Sequence, residues 1–450
     1  MIAESGMIDG ALRQARRLAA EGDDAAAREA YLDALRLDPQ HPVALTELGA
    51  LAHAGGYMSA AREAYRLAVQ CSPDHGVARV GYADLLCEAG DPAAARVHYE
   101  AALAADPDFP QAHQGLARAL HALGEEAGEH WQKGFAGHAI TPRRYRGPGA
   151  GIPLLLLVSA VGGNVAVRPW VDDRVFAVTA VYADFFDPGE KLPRHAVIVN
   201  AIGDADLCAA ALAGAEAIAA RSGAPVINAP DRIRATGREE IARRLGDIPG
   251  VIAPRVGRLS RTDMRFPLLL RAAGYHTGQH FVRVETADEL GEAVASLPGA
   301  DPLVIEYLDA RGPDGMARKY RVMFIDGAAY PLHLAISAEW KVHYFTAAMA
   351  AEPAFRTEEE RFLRDMPAVL GERAMAALGR IQAMLGLDYS GIDFGLARDG
   401  ALLLFEANAT MVINPPDPGS MWDYRRPVIG AALGAAQRML AGRAAGGQGR

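Results

Sequence analysis

The stretch Gly391 to Thr410, GIDFGLARDGALLLFEANAT, spaces three oxygen-bearing side chains so that they could hold a hard cation. Its arms are apolar and alternating on either side of Asp399-Gly400, and Asp-Gly between such arms is a strong hairpin signal. With Asp399 and Gly400 as a two-residue turn, Arg398 faces Ala401 and Asp393 faces Glu406. Carboxylates directly opposed across an antiparallel pair lie about 5 Å apart and repel, so something must offset them. Asn408 shares the strand face of Glu406, because side chains alternate with period two. Asp393, Glu406 and Asn408 are therefore candidate ligands for Mg²⁺, which takes oxygen donors. Pairing of each carboxylate with a Lys or Arg in an ordinary sheet would satisfy them as well, and the hairpin alone does not choose.

Candidate cations lie upstream. In ARKYRVMFIDG, Lys319, Arg321 and Met323 share one strand face and Tyr320, Val322 and Phe324 the other, so two cations point one way. A solvated strand edge would do the same, as it would for Lys341 and His343 in EWKVHYF. Phe266 to Leu270 reads as a strand leading into Arg271 and then a turn bracketed by Gly274 and Gly278, with His276 and Thr277 between them. Backbone amides of such a turn can cradle a phosphate; glycines also serve simply to permit the turn. The segment PLVIEYLDARG contributes Glu306, Tyr307, Leu308 and Asp309.

The elements that must position these groups fall into two kinds. The chain has 450 residues, with 55 acidic against 46 basic side chains and a net charge of −9. That balance offers no basic stripe for nucleic acid. The 3 cysteines are far apart and odd in number, which excludes a disulfide framework or a paired-cysteine metal site. The first residues lack a basic segment followed by an apolar one, and the longest apolar run, Ile152 to Val161, is far below the ~20 residues that span a bilayer. A soluble cytoplasmic protein is expected.

Residues 1 to 140 repeat themselves. Gly22, Gly56, Gly90 and Gly124 recur every 34 residues, in phase with Ala27, Ala61 and Ala95, with Tyr31, Tyr65 and Tyr99, with Ala34, Ala68 and Ala102, and with Pro39, Pro73 and Pro107. Glycine between two helical patterns and proline after the second describe a helix-turn-helix unit, with alanine where helices touch and tyrosine filling the gap between neighbours. This resembles the tetratricopeptide (TPR) repeat, whose period is 34. The resemblance implies a short solenoid whose concave face takes a peptide or protein partner, although a dimerisation or packing module would use the same repeats. TPRRYRGPGAG, residues 141 to 151, breaks the pattern and reads as a linker. From Ile152 apolar bursts alternate with helical stretches, which predicts an α/β layer.

The order of the parts after residue 152 resembles the ATP-grasp superfamily, carried chiefly by IEYLD, KYRVMFIDG and GIDFGLARDGALLLFEANAT. The fold class expected is thus multidomain, an all-α TPR solenoid followed by an α/β (α+β) ATP-grasp fold. Its boundaries would be 1–140 for the repeats, 141–151 for the linker, 152–440 for the ATP-grasp domain and 441–450 for a flexible tail. Within that domain, 152–230 would be an N-terminal α/β subdomain, 231–305 a central nucleotide lid and 306–440 the metal-binding part. The resemblance implies Arg271 at the α- and β-phosphates, in place of the family's usual lysine. It implies the loop holding Gly274, His276, Thr277 and Gly278 as a flap over the triphosphate, with Lys341 also on the nucleotide. Glu306, Tyr307 and Leu308 would meet adenine and Asp309 the ribose. Arg321, with Lys319 beside it, would face the transferred phosphoryl group, and Asp393, Glu406 and Asn408 would hold Mg²⁺ or Mn²⁺. The activity implied is ATP-dependent joining of a carboxylate to an amine through an acyl phosphate, on small-molecule or peptide substrates. IDFGLAR also matches the DFG segment of protein kinases, but the HRD segment, its asparagine, the glycine-rich loop and APE are all missing from the sequence. The other reading kept open is a TPR scaffold whose second half binds nucleotide weakly or not at all.

Overall fold

The computed structural model describes residues 2–261, 263–272, 280–299, 301–342 and 348–447. The chain divides into two compact units, Met1–Leu155 with Asp173–Arg194, and Leu156–Asp172 with His195–Arg450.

The first unit holds eight helices: α1 (Ile2–Ala20), α2 (Asp24–Leu37), α3 (Pro42–Ala54), α4 (Met58–Cys71), α5 (Gly76–Glu88), α6 (Pro92–Ala105), α7 (Pro110–Leu123) and α8 (Gly128–Phe135). The columns of the 34-residue period explain their packing. Ala27, Ala61 and Ala95, and again Ala34, Ala68 and Ala102, are wholly buried, since only a methyl group fits where the helices of a pair touch. Gly22, Gly56, Gly90 and Gly124 sit at φ between +74° and +83°, a region in which a Cβ is strained, and so they turn the chain between helices. In the second and third units the tyrosine ring fills the space that a glycine leaves, a Cβ at Gly81 falling 2.5 Å from Tyr65 Cε1 and one at Gly115 closer still to Tyr99 Cε1; in the first, Glu47 stands at that position.

The expected linker is not one. Residues Ile140–Pro142 form β1, antiparallel to β3 (Phe176–Tyr182). Arg144 donates to Asp24 at 2.6 Å, and Arg146 donates to Asp24 at 2.9 Å and to Asp173 at 2.8 Å. Phe135 of α8 packs on Tyr182 and Phe185, at centroid distances of 4.6 and 4.8 Å. Arginines that suggested a solvated tether are counter-ions of the first repeat, and the unit takes back a β-strand from beyond its expected end.

Between the units' segments lies β2 (Ile152–Val158), whose residues through Leu155 belong to the first. The second unit continues with β4 (Val197–Asn200), α9 (Ala209–Ala220), β5 (Val226–Ile227), α10 (Pro230–Arg234), α11 (Arg238–Gly246) and β6 (Val251–Ile252). β4 and β5 are parallel. A four-stranded antiparallel sheet follows, from β7 (Val256–Arg258), β8 (Leu268–Arg271), β9 (Phe281–Val284) and β10 (Leu303–Glu306), in the order β7-β10-β8-β9, with α12 (Leu290–Ala295) between β9 and β10. The last sheet has the order β12-β11-β13-β14-β6, with β11 (Ala317–Ile325), β12 (Ala328–Ser337), β13 (Tyr389–Leu396) and β14 (Leu402–Asn408). Helices α13 (Pro353–Arg364) and α14 (Met366–Leu385) cover one face of it. Phe362, Leu370 and Ile381 there meet Tyr320, Val322, Phe324, Ile392 and Phe394 in one core. Alternation then leaves the opposite face for Lys319, Arg321 and Asp393.

Two further boundaries differ from expectation. Ile241, Leu245, Ile248 and Val251 belong to this last core, so 231–252 goes with the C-terminal sheet and not with a lid. Residues 441–447 of the expected tail continue the helix α15 (Arg426–Gly447), in which Ala444 is wholly buried and Arg443 pairs with Asp388 at 3.0 Å; 448–450 lie outside the described residues.

Candidate functional site

The hairpin β13-β14 does oppose Asp393 and Glu406, by a longer route than a two-residue turn. Gly400 N–H donates to Ala397 and Ala397 N–H to Ala401, with Gly400 at φ +78°, so the loop has three residues, 398–400. That slips the register by one: Leu396 faces Leu402 and Phe394 faces Leu404. A β-bulge at Phe405 then restores it. Leu402, Leu404 and Ala407 enter the core while Phe405 lies exposed, so the bulge is what moves Glu406 off the core face and opposite Asp393.

The same row extends across four strands. His333 of β12 faces Arg321 of β11, Arg321 faces Asp393 of β13, and Asp393 faces Glu406 of β14. Arg321 forks onto Asp393, Nε to Oδ1 at 2.7 Å and Nη2 to Oδ2 at 2.8 Å, and Lys319 Nζ lies 3.1 Å from Oδ2. Arg238, at the start of α11, meets Glu406 at 3.2 Å. The repulsion of the facing carboxylates is therefore offset by cations. Burial opposes the charge on Asp393, but Arg321 and Lys319 outweigh it and hold the carboxyl far below the ordinary range. Burial likewise opposes ionisation of Glu406, and Arg238 and Arg271 overcome it. His333 is pushed well below 6.5 by burial and by Arg321, which keeps it neutral. Burial, followed by Arg238, lowers Arg271.

These groups line a cavity of ≈ 430 Å³. Of the residues singled out in the sequence, Arg271, Glu306, Tyr307, Leu308, Lys319, Arg321, Lys341, Asp393, Glu406 and Asn408 all line it. Asp309 does not; its carboxylate is forked by Arg311, Nη2 to Oδ2 at 2.6 Å. Gly274, His276, Thr277, Gly278 and His343 lie outside the described residues. The remaining wall is apolar and aromatic, with Leu269, Phe281, Ile305, Leu332, Trp340 and Ile413. Phe281 and Trp340 meet edge to face at 5.5 Å, Lys341 Nζ donates to Phe281 O at 3.5 Å, and Arg283 lies over the Tyr307 ring at 4.1 Å.

Sequence reasoning missed Arg238 and His333, which also line the cavity. Arg238 sits in a helix far from the hairpin in sequence, and no local pattern ties it to Glu406. His333 had a signal, since it falls in the strand that follows the cationic one. The segment after the hairpin divides: Met411 to Asn414 line the cavity, whereas Arg425 turns to the buried Glu359 at 2.6 Å.

Among the described residues no group of three or more His, Cys, Asp or Glu side chains could hold a metal. Mg²⁺ is commonly bound through one or two carboxylates together with substrate phosphates, so a protein cage is not what its presence would require. Asp393, Glu406 and Asn408 suit that mode in donor type, though Asp393 now gives both oxygens to Arg321 and Asn408 Oδ1 accepts from Thr410 N and Oγ at 3.0 Å.

A family model for the tetratricopeptide repeat matches residues 86–128. The match spans the end of α5, α6 and α7 and reaches the start of α8. No curated protein matches the chain. Among solved structures the chain is similar to a MamA protein at 21% identity and a TM-score of 0.26, over 28% of this chain and 71% of that one. It is similar to a tetratricopeptide repeat protein from Parabacteroides merdae at 20% identity and 0.26, over 28% and 52%. It is also similar to the first TPR of Spaghetti (RPAP3), bound to an HSP90 peptide, at 19% identity and 0.26, over 27% and 96%. No helix among the described residues is long and apolar enough to cross a membrane.

Proposed function

We propose that the second unit binds ATP with Mg²⁺ and joins a carboxylate to an amine through an acyl phosphate, while the repeats hold a peptide or protein partner. The observation that carries this reading is the concentration of Arg271, Lys319, Arg321 and Lys341 in one cavity of a chain whose net charge is −9. A cationic pocket in an acidic protein favours an anionic ligand. The aromatic and apolar wall beside the cations suits a planar base, and cavities of roughly 300–1,000 Å³ are those that take such ligands.

In the reaction, a carboxylate oxygen attacks the terminal phosphorus and ADP leaves. The amine nitrogen then attacks the acyl carbon, phosphate departs and the amine gives up a proton. Arg271 and Lys341 hold phosphate charge. Arg321 and Lys319 face the phosphorus undergoing transfer, where negative charge is stabilised by fixed donors. Asp393, Glu406 and Asn408 would hold the Mg²⁺ that accompanies the nucleotide and neutralises its phosphates. No Ser-His-Asp nucleophile is needed, because positioning and charge stabilisation suffice.

A second reading, a repeat scaffold with a weak nucleotide site, is favoured by the closed Arg321–Asp393 fork, which engages both oxygens of Asp393. Calorimetry with Mg-ATP and an ADP-release screen against pooled amino acids and peptides separate the two. Micromolar binding with acceptor-dependent ADP release, lost in Glu406→Gln, is expected of the ligase. Binding without release under any acceptor supports the scaffold, and no binding at all overturns the nucleotide site.

A further inference from the structure

The row His333–Arg321–Asp393–Glu406 crosses the cavity and has a different wall on each side of it. Two glycines of β13 that share the face of Asp393 mark those sides. On one, a Cβ at Gly395 would fall 2.7 Å from Ala310 Cβ and 3.0 Å from Phe405 Cζ. Ala310 lines the cavity just beyond Tyr307 and Leu308, so this is the side proposed for the base. On the other, Gly391 faces Met323 and Asn408, and a Cβ there would fall 2.6 Å from Met323 Sδ and 2.8 Å from Met411 Sδ. Met411, Val412 and Ile413 all line the cavity, with Met411 5% and Ile413 1% exposed. Nothing from Asn408 to Asn414 is charged, and the Asn408 amide oxygen is turned to Thr410 N and Oγ at 3.0 Å.

We infer that the carboxylate substrate carries an uncharged, apolar side group, seated against Met411, Val412 and Ile413 on the side of the row away from the base. Its carboxylate must lie at the row, because an oxygen of it attacks the phosphorus that Arg321 and Lys319 face. With the base on the Ala310 side, the rest of the acid is directed to the Met411 side. A charged substituent there would lose its hydration against thioether and alkyl groups, with no counter-ion in the segment. An apolar one gains about fourfold in affinity for each methylene it buries. This deepens the ligase reading and rests on it for the placing of base and acid; the preference for an apolar acid belongs to the wall and is measurable without nucleotide.

Three acids of equal length test it: hexanoate, adipate and 6-aminohexanoate end in a methyl group, a carboxylate and an ammonium. Titrated calorimetrically into the full chain without nucleotide, hexanoate should bind at least about tenfold more tightly than either of the others. Val412→Asp, at a half-buried position, should bring 6-aminohexanoate level with hexanoate or above it. Ile413→Ala, which leaves no new charge to bury, should weaken hexanoate by about tenfold. Equal or tighter binding of adipate or 6-aminohexanoate by the wild type, no binding of hexanoate, or hexanoate affinity unchanged in Ile413→Ala overturns the inference. Saturating adenosine should leave hexanoate binding within about twofold. Displacement by adenosine gives the Met411 wall to the base and also overturns it. If hexanoate binds as expected while no acceptor in the screen releases ADP, the ligase reading falls and the apolar acid site stands.

Discussion

The repeats and the cavity are built on opposite plans. In the repeats one solution is used three times, with Ala27, Ala61 and Ala95 wholly buried and Tyr31, Tyr65 and Tyr99 nearly so. In the cavity every charged group has its own surroundings: Asp393 is forked by Arg321 and touched by Lys319, whereas Glu406, directly opposite, has Arg238. Repetition lets a period announce itself without any knowledge of contacts. A site assembled from four strands and a helix distributes its members along the chain, and only some of them sit in patterns. Substitutions should therefore act alike in one region and unlike in the other.

The largest effect concerns where the first region ends. A chain beginning near Gly149 lacks β1 and α8, leaving Tyr182 and Phe185 without Phe135 and β3 without one of its two neighbouring strands. Exposed aromatics and an unpaired edge favour aggregation. Such a protein should be insoluble, whereas internal lengthening of the exposed 148–150 stretch should be tolerated; soluble monomer from the truncation, seen by gel filtration, would mean that the segment 173–194 does not depend on the repeats. Next come the equivalent tyrosines. Tyr65→Ala and Tyr99→Ala each empty a ring-sized space and should each cost about 4 kcal/mol. Tyr99 should cost the more by about 1 kcal/mol, because its hydroxyl also donates to Asp84 at 2.6 Å. Urea unfolding followed by circular dichroism measures both, and a cost confined to one of them would break the claim of repeated environments.

The facing carboxylates should diverge instead. Asp393→Asn leaves Arg321 and Lys319 without their counter-charge at a site 4% exposed, and should cost about 3 kcal/mol. Glu406→Gln removes a like charge from across the ladder and should change stability by less than about 1 kcal/mol. Equal losses in the two variants would show that the row is not polarised as its geometry indicates.

What the sequence disclosed follows the same division. The five columns led directly to the helices, because each column answers a steric demand that recurs. The opposition of Asp393 and Glu406 was also anticipated, though through a compensation: the three-residue loop slips the register and the bulge at Phe405 restores it. Alternation cannot reveal a bulge, since either phase of the pattern LLLFEAN is apolar up to Glu406. The 141–151 segment misled because composition records proline, glycine and arginine but not that Arg144 and Arg146 have Asp24 to meet. Arg238 was invisible for a related reason, its partner being supplied by a distant strand.

The smallest effect tests whether the row is read correctly at its other end. His333 is 7% exposed and is held neutral by burial and by Arg321 beside it. The unfolded chain binds a proton at this histidine below about pH 6.5 and the folded chain does not. Stability supplied by the neutral form is therefore whole above that pH and falls as pH drops toward the lower folded value, by up to about 1.4 kcal/mol per pH unit. Asp393, whose folded value is also lowered, acts with the same sign but contributes no slope there, because the unfolded carboxyl takes up its proton only near about pH 4. Other histidines with lowered values, His98 and His130, belong to the repeats, so a whole-molecule midpoint would mix the two regions. Amide exchange of β11 and β13 between about pH 5 and 7 isolates the sheet. His333→Gln should flatten its pH dependence there whatever its absolute stability, and an unchanged slope would assign the acid sensitivity to another group.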